Sequence, residues 1–227
     1  MRIYFLLSAF AGVGARATFT PEMYILETKR LLLRELAPED IDALAAVLSD
    51  PETMRYYPSA LDRAGVSAWI ERNRQRYVDA GHGLWAMVLK SSGEVIGDCG
   101  LARQSVDGKD EIEIGYHVRR DLWGQGYAPE AARACRDYGF SRIGAGRLIS
   151  LIRPENMPSR RVAEKIGLSL WKEVLWKDLP HCVYVIRRER DLCGAGAPSP
   201  AAFDFDGRNC RALPKLDRAA PPRVRRL

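Results

Sequence analysis

The 227-residue sequence has little that would tie it to a metal centre, a disulfide framework or a membrane. Its five cysteines (Cys99, Cys135, Cys182, Cys193, Cys210) are odd in number and never fall at CxxC spacing, and no HExxH occurs. The zinc-ligand spacings are therefore absent, and reduced, mostly buried thiols of a cytoplasmic protein are the expectation, with no metal. No apolar run approaches the ~20 residues that a membrane-spanning helix needs. Acid and base are nearly balanced where it matters. The formal charge is +6, from 35 Lys and Arg against 29 Asp and Glu, but seven basic and four acidic residues lie between Asp191 and Leu227. The middle of the chain is close to neutral, so a pI near 9.2 is no argument for a nucleic-acid surface.

What is present is 47% apolar and 28% charged, enough for one domain of roughly 150–200 residues with a continuous core. Residues 1–22 form an N-terminal extension. Thirteen uncharged residues separate Arg2 from Arg16, and Ala15-Arg16-Ala17 has the form of a cleavage site, so the segment reads either as a weak signal-like stretch or as an over-long start ahead of Met23. Residues 191–227, rich in Ala, Gly, Pro and Arg, read as a flexible basic tail. The working domain spans residues 23–190.

Within it, two periodicities alternate. Arg30–Arg34 is a short apolar strand. Pro38-Glu39-Asp40 opens a helix with Ile41, Leu44, Ala45 and Leu48 at i, i+3, i+4, i+7. Ser59–Ala80 is a second helical stretch. Leu84–Lys90 and Glu94–Leu101 are strands joined at Ser91-Ser92-Gly93, a hairpin signal. Glu111–Arg119 alternates, with Ile112, Ile114, Tyr116 and Val118 on an apolar face and Glu111, Glu113, Gly115 and His117 opposite. A glycine loop then leads into a helix over 128–142, a strand over 147–153, a helix over 156–166 that stops at Gly167, and strands near 168–176 and 181–188. Hairpins first and strand-helix-strand later predict an α+β fold, with a mixed, mostly antiparallel central sheet and flanking helices.

The chemistry-bearing motif is Trp123-Gly124-Gln125-Gly126-Tyr127-Ala128. Two glycines let the backbone turn sharply and approach a ligand closely. The amides of Gln125, Gly126, Tyr127 and Ala128 face a helix start, where the dipole favours an anion, and Pro129 suits the first turn. The loop is thus a phosphate cradle, but not one of the nucleotide loops: it lacks GK[ST], and Pro129 stands where a dinucleotide fingerprint needs its third glycine. A glycine turn holding no ligand is the plain alternative.

Together, Gly115-Tyr116-His117-Val118 with the Trp123–Ala128 loop, the opening Leu26-Glu27-Thr28-Lys29-Arg30-Leu31-Leu32-Leu33-Arg34, and Asn156-Met157-Pro158-Ser159 with Ala163-Glu164-Lys165-Ile166-Gly167-Leu168 resemble the GNAT N-acetyltransferases. Trp123 at the Gln/Arg place of the loop is similar to the RimJ/RimL-like subgroup. The resemblance covers residues 26–188. It implies the acyl-CoA N-acyltransferase fold and transfer of the acetyl group of acetyl-CoA directly to a primary amine of a protein N-terminus, a polyamine or a small molecule. It also implies that Gly124, Gln125, Gly126, Tyr127 and Ala128 hold the pyrophosphate, and that pantetheine pairs with the strand at Tyr116, His117 and Val118. Asn156 would contact pantetheine and cap its helix, and Ser159 would contact the CoA sulfur.

A protonated amine must lose a proton before it attacks. Glu113 is the first candidate base, with an exposed strand carboxylate as its plain alternative, and Asp178 is the second. The tyrosine that many GNAT proteins use to protonate the departing thiolate is absent here, because Ala163 holds that place. His117 reads more readily as a structural strand histidine, and His82 and His181 as turn residues without partners in sequence. Trp85 and Tyr116 read as core. Trp69 and Tyr77 either line an acceptor pocket or pack, with packing favoured. Arg119 and Arg120 either reach a CoA phosphate or are solvated. The competing function is a non-catalytic acyl-CoA sensor of the same fold; a tail-mediated nucleic-acid role ranks third.

Overall fold

The computed structural model describes residues 24–188 and 211–212. The expected extension (1–22) and, apart from 211–212, the expected tail (191–227) lie outside the described residues. Among the described residues nine strands form one sheet: β1 (Leu26–Glu27), β2 (Leu31–Arg34), β3 (Leu84–Leu89), β4 (Val95–Val106), β5 (Lys109–Val118), β6 (Arg147–Ile152), β7 (Ser169–Trp176), β8 (Leu179–Arg187) and β9 (Arg211–Ala212). Their order is β7-β8-β6-β5-β4-β3-β2-β1-β9. Every neighbouring pair is antiparallel except β5 with β6. Among the described residues the α-helices are α1 (Ile41–Leu48), α2 (Arg63–Ala80), α3 (Tyr127–Tyr138) and α4 (Met157–Lys165). This is the expected α+β architecture.

Strand side chains alternate faces, so a strand covered on both sides reads as an unbroken apolar run. β2 (LLLR) and β3 (LWAMVL) have this form. Leu31, Leu33, Trp85 and Met87 pack in one core with Ala131, Ala132 and Cys135 of α3 and Ala163 of α4. Leu32, Ala86 and Val88 pack in another with Leu44 and Leu48 of α1 and Val66 and Ile70 of α2. The helices thus lie in pairs on opposite faces. Cys99, Cys135 and Cys182 are buried free thiols.

Local signals set the helix ends. Asp62 caps α2 by accepting from Gly65 N at 2.7 Å, so the helix starts at Arg63 rather than Ser59. Asn156 caps α4 by accepting from Ser159 N at 3.2 Å, and Gly167 follows in the left-handed region, as expected. α3 ends at Tyr138, and a wide π-type turn over Gly139–Ile143 completes the stretch read as helix to residue 142.

The largest departure is the β4–β5 hairpin. Its register runs unbroken from Gly97↔Val118 to Val106↔Lys109 and turns at Asp107-Gly108, both with positive φ. A two-residue Asp-Gly turn suits a hairpin twist, so the segment 102–110 is strand rather than connection. β5 and β6 pair only at Glu113↔Ile149, whereas β6 and β8 pair along their length. Beyond that single rung, side chains bridge the strands: Ser150 Oγ donates to Ile114 O at 2.9 Å and Leu151 N to Glu113 Oε1 at 3.4 Å. The strands part there.

Candidate active site

Two cavities meet at the parting of β5 and β6. The first, of about 400 Å³, lies between the glycine loop with the start of α3 and the facing side of α4. Gly124 and Gly126 have φ of +77° and +82°, a region in which side chains are strained. A Cβ at Gly124 would meet nothing within 4 Å, so open space lies against the loop backbone. The first amides of α3 have no intrahelical partner and carry the positive end of its dipole.

The loop is braced from below. Glu130, in the first turn of α3, accepts from Arg30 N at 2.8 Å, Arg30 Nε at 2.7 Å and Thr28 Oγ1 at 2.7 Å. Burial opposes charging of its carboxyl, yet these donors prevail and hold it below the usual carboxylate range. Arg30 also donates to Gln125 O at 2.9 Å and stacks on the Tyr127 ring at 4.2 Å. Arg161 and Lys165 of α4 line the opposite wall. Loop amides, a helix start, two cations and a strand gap fit an elongated anionic ligand with phosphates at the loop and a thin arm in the gap.

Of the expected cofactor residues, Tyr116, His117, Val118, Gly124, Gly126, Tyr127, Ala128, Asn156 and Ser159 line this cavity. Gln125 does not: it is exposed, its carbonyl is turned to Arg30 and its amide side chain donates to Asp121 O at 3.3 Å. Arg119 pairs with Asp121 at 2.8 Å and Arg120 with Asp50 at 3.6 Å, and neither lines the cavity.

The second cavity, of about 330 Å³, lies on the other side of the gap, among α2, β5, β6 and the β7–β8 turn. Glu113 lines it. Burial pushes its carboxyl above the ordinary carboxylate value, while Gln104 Nε2 donates to Oε2 at 2.7 Å and opposes the rise. The exposed-carboxylate reading is thereby corrected. The polar face of β5 as a whole turns inward, with Glu111 paired to Arg147, Glu113 to Gln104 and His117 to Asp98. Asp178 is not brought to the site. It is exposed at the tip of the β7–β8 turn, with φ of 60°, and lines neither cavity.

Tyr57, His117, Tyr116, Asn156 and Ser159 line both cavities. Here sequence reasoning missed a chain of groups. Asp98 Oδ1 lies 2.7 Å from His117 Nδ1, and His117 Nε2 lies 2.7 Å from the Tyr57 hydroxyl. Trp69 Nε1 donates to Asp98 Oδ2 at 2.7 Å, and its ring meets the imidazole edge-on at 5.5 Å. Burial works against a charged imidazole, but the Asp98 carboxylate prevails and raises the His117 pKa above its ordinary value. Tyr57 is 44% exposed as a residue, but desolvation around its hydroxyl, with Glu113 and Asp98 nearby, raises its pKa and keeps it protonated. The Tyr116 hydroxyl donates to Ser159 O at 2.8 Å and ties β5 to α4. Trp69 therefore belongs to the site, whereas Tyr77 packs, its hydroxyl donating to Leu84 O and accepting from Leu36 N. Trp85 is core, as expected. His82 contacts Leu101 O at 2.8 Å, and His181 lines the second cavity.

A mostly antiparallel sheet parted at one parallel rung, with a glycine loop and helix start on one side and a half-buried carboxylate on the other, is the arrangement of an acyl-group transferase that works between two ligands. The acetyltransferase (GNAT) domain family matches residues 30–169, and the chain belongs to that family of acetyl-CoA-dependent acyltransferases. It is 39% identical to an uncharacterised Bacillus subtilis protein, YkkB, over 70% of this chain and 93% of that one. Among solved structures it is similar to an acetyltransferase from Agrobacterium tumefaciens, with 28% identity, a TM-score of 0.65, and coverage of 77% of this chain and 100% of that one. The fold is also that of Mycobacterium smegmatis RimJ in complex with CoA-disulfide, at 22% identity and a TM-score of 0.59, covering 75% and 90% of the two chains. Among the described residues no cluster suited to a metal is found, and no helix is long and apolar enough to cross a membrane.

Proposed function

We propose that the chain is an N-acetyltransferase of the RimJ/RimL-like branch that moves an acetyl group from acetyl-CoA directly to a primary amine. The observation that carries this reading is the meeting of the two cavities at residues common to both, with Glu113 in the second alone. Trp123 in the loop and Ser159 three residues after Asn156 support the branch assignment. Bound acetyl-CoA supplies the activated acetyl group.

The chain's own residues then position two ligands and move protons. The start of α3, Arg161 and Lys165 hold phosphates; Asn156 and Ser159 flank the arm in the gap. Glu113 accepts the proton of the amine nitrogen as the N–C bond forms, with Gln104 fixing the carboxylate. As the C–S bond breaks and its electron pair moves to sulfur, Tyr57 gives up its hydroxyl proton there. His117, charged beside Asp98, passes its Nε2 proton to the Tyr57 oxygen. Solvent carries the proton from Glu113 back to the imidazole, so charge balances over a turnover. Tyr57 supplies the acid function that Ala163 does not.

The test is thiol release from acetyl-CoA on addition of amines. Release that depends on amine, and that falls by about 10²–10⁴-fold in Glu113→Gln, is the expected result. Tight CoA binding with no transfer to any amine would instead identify a sensor.

A further inference from the structure

Resting on that reading and narrowing its substrate, we infer that the acceptor amine carries an anionic group on the same molecule, a carboxylate by preference, held in a basic frame around the second cavity. Arg72, Arg76, Arg153 and Lys177 line this cavity, and Glu113 is the only carboxylate that does. The excess is only partly absorbed locally: Arg72 lies over the Trp69 ring at 5.1 Å, Lys177 over the Trp176 ring at 4.3 Å, and Glu113 faces Arg76. Among the described residues neither the exposed Arg72 nor the half-buried Arg76 has an ion-pair contact; they lie one helical turn apart on α2, where like charges repel. Arg76 is half-buried, its Nη1 donating only to Asn73 Oδ1 at 3.1 Å. Burial, then the neighbouring Arg72, pull its pKa down. Arg153 reaches Glu155 through Nη2 at 2.8 Å, while its Nε is buried without a hydrogen-bond partner among the described residues.

His181, which lines the same cavity, senses the field: burial first, then Arg153 and Lys177, depress its pKa, so it stays neutral. A half-buried guanidinium with open donors calls for an anion, and the planar fork matches a carboxylate in two hydrogen bonds. A polycationic acceptor meets the opposite arrangement: four cationic side chains line the cavity against one carboxylate, already engaged by Gln104. A cavity of about 330 Å³ admits a free amino acid or the first residues of a peptide. Both present the same chemistry, an amine with a nearby carboxylate.

The experiment compares matched acceptors on the full chain with saturating acetyl-CoA: phenylalanine against phenylalaninamide, Ser-Asp-amide against Ser-Lys-amide, and spermidine. The inference expects kcat/KM at least about tenfold higher for the acid of each pair, the worth of a charged hydrogen bond, and little turnover of spermidine. The free acid leading identifies a small-molecule acceptor; the Asp peptide leading identifies a protein N-terminus. Arg76→Gln should bring each pair to within about twofold, and Arg76→Lys should retain part of the preference, separating lost charge from lost fold. Turnover of the amides or spermidine as well as the acids overturns the inference while leaving the acetyltransferase reading intact. Acetyl-CoA binding with no turnover of any acceptor overturns both.

Discussion

The two cavities hold their occupants by different means. The first is built largely from backbone: two left-handed glycines, a helix start and the edge of a parted strand. The second is built from side chains on α2, β5, β6 and the β7–β8 turn. Backbone recognition depends on conformation and tolerates little change, whereas a cage of long side chains can be retuned residue by residue while the fold stays the same. On the proposed reading the constant ligand takes the first cavity and the variable one the second, with the Asp98–His117–Tyr57 chain between them.

Substitutions that strike one side and spare the other sharpen this contrast. The largest effect is expected from Glu113→Gln, which should lower kcat by about 10²–10⁴-fold while acetyl-CoA affinity, measured by calorimetry, stays within about twofold. A parallel loss of affinity would mean that the two sides are not separable. Gly126→Val should act in the opposite sense. Its φ of +82° would strain the backbone by about 1–3 kcal/mol, so acetyl-CoA binding should weaken by one to two orders of magnitude, with stability lowered by no more than that strain and the fold retained. Undiminished affinity would remove the loop from the cradle.

Tyr57→Phe comes next, with an expected fall in kcat of about 10–100-fold and a changed pH profile. Glu113 must be ionised to accept a proton, and burial raises its pKa, so activity falls as pH drops through a value above the ordinary carboxylate range. His117 must be charged to resupply Tyr57. Its pKa is raised despite burial, through Asp98, so activity also falls as pH climbs through a value above that of free histidine. With a weakly basic amine the wild-type profile should be bell-shaped, and Tyr57→Phe should lose the alkaline limb alone. An unaltered limb would detach the Tyr57–His117 pair from catalysis. The smallest effect belongs to Asp178→Asn, an exposed turn position outside both cavities, which should change kcat/KM by less than about twofold. A large loss would restore Asp178 as a base.

The same contrast governs what could be read in the sequence. The conformation of the glycine loop and of the α4 start was legible because the glycines, Pro129, Asn156 and Ser159 lie in two short segments whose backbone is set locally. The apolar runs of β2 and β3 and the hairpin at Ser91-Ser92-Gly93 were legible for the same local reason. The β4–β5 turn also carried a readable signal, Asp107-Gly108, but the polar stretch around it reads as a loop until the register is known. The proton chain had almost none. Asp98 and His117 become partners only through the cross-strand register Asp98↔His117, and Tyr57 lies 60 residues from His117 in sequence. The one available hint was a carboxylate inside the otherwise apolar run Val95–Ala102, fully buried in the structure. A buried charge needs a partner, though sequence alone does not name it. Whether Glu111, Glu113 and His117 turn inward stayed open for the same reason: alternation separates two faces of a strand, but the topology decides what covers each.

Calorimetric titration of acetyl-CoA into the full chain, without acceptor, tests the central claim most directly. One site per chain at micromolar affinity or tighter, weakened by one to two orders of magnitude in Gly126→Val and kept in Glu113→Gln, is the predicted result. A folded protein that takes up no acetyl-CoA, or that loses it in Glu113→Gln while keeping it in Gly126→Val, would contradict the division of the site into a cofactor side and an acceptor side.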